Sequence, residues 1–297
     1  MSGKVFIIWD YDTAIGQVNA SLPYNFNEER ILEEIENVEK ILNLAKEFEV
    51  RMTFACVGFA AERGHYPYHV PDQIRKIFSH GHEIASHSWR HEWFPYLQRE
   101  QIKRSLVRSK MILEECLNVR GAVKGFVPPF SRPMSWYSRG ALSLGDRAFG
   151  PSHPGASHGT LLPLIGEAGY QWSRVAHYPI WQKLSPQRSN IRSIVRKWKV
   201  ASGVWCVPEH YTGFDEPAYS LLQTTIARNG SLVLVGHPSG LTRNSTEHIE
   251  HLRALLHYIA ECQQAGTLQA LTVSSSTPVE GSYQVESKVR EVATAKD

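Results

Sequence analysis

Two short stretches hold residues able to do chemistry together. "WDYDT" sets Asp10 and Asp12 two apart at the end of an apolar run, and "HSWRH" sets His87 and His91 four apart. Two imidazoles and a carboxylate are the usual donor set of a catalytic zinc site, which keeps a coordination position open. The same set also suits other divalent ions. If the second stretch is helical, four residues make about one turn and both rings face one cation. Asp12 or Asp10, from another strand, then completes a three-ligand site. An isolated HxxxH pair arises often by chance, and here Trp89 and Trp93 flank it, as they would on a stacking surface. The positions of these residues in the fold decide between the two readings.

Strand and helix patterns alternate along the chain. "KVFIIWD" (4–10) reads as a buried parallel strand. In 28–49, Ile31, Ile35, Val38, Ile41, Leu42 and Ala45 share one helical face, with Asn27 placed to cap it. Strands follow at 51–59 and 82–87, separated by a short helix that ends at Gly81. A long amphipathic helix (98–118) leads to the strand-like "VKGFVPPF". The pattern breaks in two long loops, about 131–160 and 177–203, rich in Gly, Pro, Ser and aromatics. Further strands are expected at "YQWSRVA", "VWCVPE", "SLVLVGH" and "LQALTV", with helices between, and a loosely held tail at 274–297. Seven or eight strands alternating with helices predict a single α/β domain over 1–273, its parallel sheet open or closed as a barrel.

In either form, reactive groups gather at the carboxyl ends of strands. The first strand ends at Asp10 and Asp12, the third at His87 and His91. Arg132 follows the prolines after the fourth; Glu209 and His210 end "VWCVP", and His237 ends "LVLVG". Five separated segments thus deliver acids, bases or cations to one end of the sheet, which favours the metal over the surface reading. His82 stands on the other side of its strand and is expected to be structural.

The motifs "WDYDT", "HEIASHSWRH", "PPFSRP" and "LVLVGHP", in that order, resemble the polysaccharide deacetylase family, the carbohydrate esterase family 4 or NodB-homology group. The resemblance spans about residues 4–273. Its DxD form resembles the subgroup of lipid-linked aminoarabinose deformylases. It implies a distorted (β/α)7–8 barrel of the NodB-homology type and hydrolysis of N-acyl bonds on amino sugars with a bound divalent metal, zinc first, with cobalt, nickel or iron as substitutes. Carried over by position, Asp12, His87 and His91 would hold the metal. Asp10 would be the base on the attacking water, His237 the acid for the leaving nitrogen, and Arg132 would orient Asp10. Trp89, Phe130, Glu209 and His210 are the expected substrate contacts. Where the family often has an arginine before the prolines this chain has Val127, and no aspartate corresponds to the one that tunes the acid histidine; "YQWSRVAHY" offers Arg174 and His177 instead.

A net charge of +3 is too small to make nucleic acid the main partner. No run reaches membrane-spanning length and no secretory signal pattern opens the chain, so a cytoplasmic enzyme is expected. Four scattered cysteines read as buried thiols. The basic run at 188–199 reads as a solvated helix face before it reads as a phosphate or membrane site. The substrate is expected to be a soluble or lipid-linked amino sugar, and an exposed barrel edge leaves room for a homo-oligomer. Two other functions compete: a cyclic-amide hydrolase of the allantoinase or imidase kind, some of which work without metal, and a carbohydrate-binding barrel that has lost catalysis.

Overall fold

The computed structural model describes residues 2–20, 27–94, 97–131, 158–176 and 192–277. The expected loop at about 131–160 and the one at 177–203 fall largely outside these residues, as do Arg132, His177 and residues 278–297. Ten strands form one sheet: β1 (Gly3–Tyr11), β2 (Thr53–Cys56), β3 (Glu83–Ser86), β4 (Gly125–Phe126), β5 (Trp172–Ala176), β6 (Lys199–Ala201), β7 (Val204–Pro208), β8 (Tyr211–Thr212), β9 (Ser231–Gly236) and β10 (Leu268–Ala270). The helices are α1 (Thr13–Ala20), α2 (Glu28–Glu47), α3 (Pro71–Ser79), α4 (Arg99–Leu117), α5 (His158–Glu167), α6 (Glu216–Arg228) and α7 (Ile249–Gln264).

Strand order is β6-β7-β5-β4-β3-β2-β1-β9-β8, with β10 added to the start of β1. All of these pairings are parallel except β6 with β7. The sheet curls into a distorted barrel, and the segment from β7 to β8 closes it. Trp205 and Pro208 pair with β5, after which the chain crosses to β9, where Tyr211 opposes Leu234. At the crossing the His210 side chain stands in for a backbone carbonyl. The backbone N–H of His210 donates to Val233 O at 3.1 Å, and Val233 N–H donates to the imidazole Nδ1 at 2.9 Å.

The alternation of strand side chains creates two apolar cores. On β1, Val5, Ile7, Trp9 and Tyr11 join the large core shared with the helices. Phe6 and Ile8 face the other way, into a small core with Ala55, Ala85, Val127, Trp172, Val207, Val233 and Val273. This small core is the barrel interior. Burial on both faces explains why β1 reads as one continuous apolar run rather than an alternating one. Trp198 packs on Phe6 with ring centres 4.9 Å apart, which anchors the segment carrying the exposed Arg196, Lys197 and Lys199. Truncating Phe6 to alanine would cost about 3–5 kcal/mol on the usual scale for buried aromatics.

Several local expectations change. "HSWRH" is a turn, not a helix: residues 88–90 form the turn, and Ser88 and His91 take left-handed backbone (φ 65° and 56°). Strand β2 stops at Cys56 and gives way to a 3-10 turn at Gly58–Ala61. Helix α1 carried no apolar periodicity strong enough to read from sequence, and β6 lies within the expected 177–203 loop. The packed chain continues to Thr277, since Ser274 donates its hydroxyl to Glu83, which also accepts Trp172 Nε1–H at 3.0 Å. His82 is structural as expected: its Nδ1 accepts Met52 N–H at 3.1 Å.

Candidate active site

Above the interior apolar layer, the same inward-facing positions turn polar. Ile8 is followed by Asp10, Ala85 by His87, Trp172 by Arg174, Val207 by Glu209, and Val233, four residues on, by His237. Period-two alternation therefore directs one polar group from each of five strands to the carboxyl end of the barrel axis.

Asp12, His87 and His91 converge there, their ligand atoms all within 4.8 Å of one another. Asp12 Oδ1 lies 3.4 Å from His87 Nε2 and 3.2 Å from His91 Nε2. His87 donates Nδ1–H to Val127 O at 2.8 Å, which fixes its tautomer and turns the Nε2 lone pair toward Asp12. Burial works against the Asp12 charge, but His91 and His87 outweigh it and hold the carboxyl well below its ordinary range. Four non-glycine residues with left-handed backbone surround the cluster: Thr13, Ser88, His91 and Phe130. Such conformations cost about 1–3 kcal/mol each and persist where the surroundings fix them. Gly16 on α1 lies so close that an added Cβ would sit 2.9 Å from Asp12 Cβ and 3.2 Å from His91 Cγ. Behind Asp12, Glu34 is fully buried and accepts Gln17 Nε2–H at 2.7 Å. Burial, reinforced by Asp12, pushes its carboxyl up to about 8.

These residues fit a divalent cation. Two buried imidazole Nε2 atoms and an ionised carboxylate oxygen face one point. Among the described residues nothing else uses those Nε2 lone pairs as acceptors. Nitrogen and carboxylate donors suit zinc, and cobalt, nickel or iron share the preference.

Beside them, Asp10 is clamped by Arg174, Nη1–H donating to Oδ1 at 2.7 Å and Nη2–H to Oδ2 at 2.5 Å. Burial disfavours the Asp10 anion, yet Arg174, with help from His87 and His237, lowers its pKa. Arg174 Nε lies 3.4 Å from Glu209 Oε2. His237 stands half-buried on the other side, Nε2 3.9 Å from Asp10 Oδ2. Glu247 holds it from behind, accepting its backbone N–H at 2.5 Å and facing Nδ1 at 3.3 Å. Burial would neutralise the ring, but Glu247, Asp10 and Asp12 outweigh that and raise its pKa to about 10.

The residues expected at the site thus divide. Asp10, Asp12, His87, His91 and His237 come together; Phe130 packs on the His91 ring with centres 4.6 Å apart and walls the cluster. Glu209 joins through Arg174. Trp89 is not free to stack on a sugar. Its ring centre lies 3.9 Å from the Arg90 guanidinium and 3.6 Å from that of Arg108, distances that place one cation on each face. His210 is also spent: Nδ1 accepts Val233 N–H, and Nε2–H donates to Ser193 Oγ at 3.0 Å. Arg132, expected to orient Asp10, lies outside the described residues, and Arg174 makes the paired contact. Arg174 could have been found by continuing the inward alternation of "QWSRVA" two residues past Trp172. Glu247 carried no local signal, because only the fold of 237–248 brings it back to His237.

Residues 29–146 match the family model described as polysaccharide deacetylase. The match covers the segment that carries His87 and His91 and leaves the rest of the chain outside it. A stretch of 108 residues is 28% identical to an uncharacterized 30.6 kDa protein of Geobacillus stearothermophilus. That match covers 36% of this chain and 37% of the relative, so it spans little more than a third of the relative's length. Solved structures share the fold. A candidate polysaccharide deacetylase from Mycobacterium smegmatis superposes with a TM-score of 0.63 at 17% identity, covering 92% of this chain and 88% of its own. Puue allantoinase gives 0.58 at 13% identity, with the same coverage of both chains. Another candidate polysaccharide deacetylase, from Pseudomonas aeruginosa PAO1, gives 0.58 at 14%, again covering 92% and 88%.

Proposed function

We propose that this protein is a metal-dependent hydrolase that removes an N-acyl group, acetyl or formyl, from an amino sugar, soluble or lipid-linked. The observation that carries the reading is the Asp12–His87–His91 cluster, flanked on one side by a clamped carboxylate and on the other by a carboxylate-backed histidine.

Asp12, His87 and His91 would hold a divalent cation, which would supply Lewis acidity toward the acyl oxygen and make water a stronger acid. Asp10, kept ionised by Arg174, accepts a proton from the attacking water on a carboxylate oxygen as the water oxygen bonds to the acyl carbon. The C–N bond then breaks, and His237 gives its Nε2 proton to the departing nitrogen. The products are a free amine and a carboxylic acid. Glu247 keeps that histidine charged and turned toward the nitrogen. Phe130 shields the rings from water and offers an apolar face to the acyl group.

All four cysteines are unpaired, which supports a reducing compartment, the cytoplasm. Among the described residues no helix is long and apolar enough to cross a membrane.

The test is release of acetate or formate from a panel of N-acyl amino sugars by protein reconstituted with zinc or cobalt, with His87→Ala and Asp10→Asn alongside. Turnover lost in both variants supports the reading. Turnover of allantoin or simple imides, with none of the sugars, would replace it with cyclic-amide hydrolysis.

A further inference from the structure

Arg90 sits between the stacked Trp89 and the ligand His91, and it is held more firmly than an exposed arginine needs to be. Its backbone N–H donates to Glu92 Oε2 at 2.9 Å, and its carbonyl accepts Asn19 Nδ2–H at 2.6 Å. The guanidinium lies over two rings, 3.9 Å from the centre of Trp89 and 5.1 Å from that of Phe59. Trp89 is itself fixed, donating Nε1–H to Glu62 Oε1 at 2.9 Å and backed by Arg108 on its far face.

The two cations of this stack differ. Glu62 answers the charge of Arg108, at 3.1 Å. Among the described residues no carboxylate pairs with Arg90, which is exposed and directly precedes His91 of the Asp12–His87–His91 cluster. A long side chain ordinarily loses about 2 kcal/mol of rotamer entropy when a ligand orders it. The rings have ordered this one already. A planar, pre-set fork of N–H donors beside a reaction centre suits an oxyanion, which it can grip through two parallel hydrogen bonds.

We propose that Arg90 is a specificity-determining residue that binds an oxyanion substituent, such as a phosphate ester, on the amino sugar or on the unit next to it. The inference rests on the amino-sugar reading for its substrate, but the anion site itself rests on the stack alone. It names an anionic sugar as the substrate class, whether the phosphate belongs to a soluble sugar phosphate or to a lipid headgroup.

Calorimetric titration with N-acetylglucosamine 6-phosphate, inorganic pyrophosphate and neutral N-acetylglucosamine tests it on the full-length, metal-loaded protein. Arg90→Met keeps the apolar stem on the rings and removes the fork, and Arg253→Met removes a remote exposed arginine paired with Glu47. The expected result is at least tenfold tighter binding of both phosphate probes than of the neutral sugar, with that preference lost in Arg90→Met and kept in Arg253→Met. Equal preference in wild type and Arg90→Met, or no preference in wild type, overturns the proposal. Binding to vesicles containing anionic phospholipid separates the two sources: Arg90-dependent vesicle binding in addition to the preference for the soluble phosphates assigns the phosphate to a lipid headgroup, and that preference with no vesicle binding assigns it to a soluble sugar phosphate. Deacylation measured on the same samples keeps the two readings apart. Arg90-dependent phosphate binding without deacylation retains the anion site and removes the amino-sugar function. Deacylation with no dependence of anion binding on Arg90 does the reverse.

Discussion

Glu247 holds His237 at two points, through the backbone N–H and through the imidazole Nδ1. The loop between them is braced from outside: Asn244 Nδ2–H reaches the other Glu247 oxygen at 3.1 Å, and the buried Asn37 of α2 donates to Pro238 O at 2.9 Å. A carboxylate ten residues further along the chain thus takes the part for which the strands offered no acid.

The pH profile should show it. The raised His237 pKa keeps the acid form present through neutrality and loses it as pH rises through about 10. Asp10, with its pKa lowered, is already ionised through the neutral range. Glu247→Gln removes one of the groups that raises His237, so the alkaline limb of kcat should move down by about one to two pH units. A profile with the limb unmoved would assign the limb to another group.

Arg174 couples catalysis to stability. Arg174→Met leaves the Asp10 carboxylate buried without its partner, and loss of one member of such a pair costs about 3–5 kcal/mol. A large drop in melting temperature and a fall in kcat of about a hundredfold or more are expected, with KM little changed. Arg174→Lys restores a charge but not the two-pronged grip, and should recover stability better than turnover. Steady-state kinetics beside thermal melts separate the two effects.

Metal should stabilise the fold by mass action. At a free concentration about a hundred times its dissociation constant, zinc adds about 2.7 kcal/mol, and chelation removes it. His87→Ala should lose both the bound metal in elemental analysis and the melting shift. Gly16→Ala presses a methyl group against Asp12 and His91, and should weaken metal retention while leaving the circular dichroism of the helices intact.

Two buried histidines with structural hydrogen bonds predict acid sensitivity. His82 and His210 are buried, and desolvation lowers each pKa to about 4, while each accepts a backbone N–H on Nδ1. Above about pH 6.5 they are neutral in both folded and unfolded chains. Between about 6.5 and about 4 only the unfolded chain takes up the proton, so stability falls with pH by up to about 3 kcal/mol per site, then levels off. Urea unfolding of His82→Gln across this range should show a shallower slope than wild type; an equal slope would show that His82 is not a source.

Most of the barrel was legible because its strands are buried on both faces and so read as plain apolar runs; "KVFIIWD" and "SLVLVGH" are the clearest. The cluster of Asp12, His87 and His91 was legible because these residues sit at or just beyond strand ends. The turn at 88–90 was not, since four-residue spacing reads as helical unless the left-handed backbone at Ser88 and His91 is known. Trp89 and His210 misled for one reason. Residue type and strand-end position marked them as substrate contacts, but tertiary partners had taken both faces of the one and both nitrogens of the other. Arg174 was visible as a residue but not as the partner of Asp10, a pairing set by the curl of the sheet.

The order of the site along the chain has a consequence for synthesis. Asp12, His87 and His91, the three side chains of the proposed cation site, all lie at or before residue 91, whereas Arg174, His237 and Glu247 come much later. A chain emerging amino-terminus first displays its metal donors well before β9 exists to sit beside β1. Ion capture can therefore precede the arrival of the groups that move protons, and a nascent chain that has bound metal is still chemically silent.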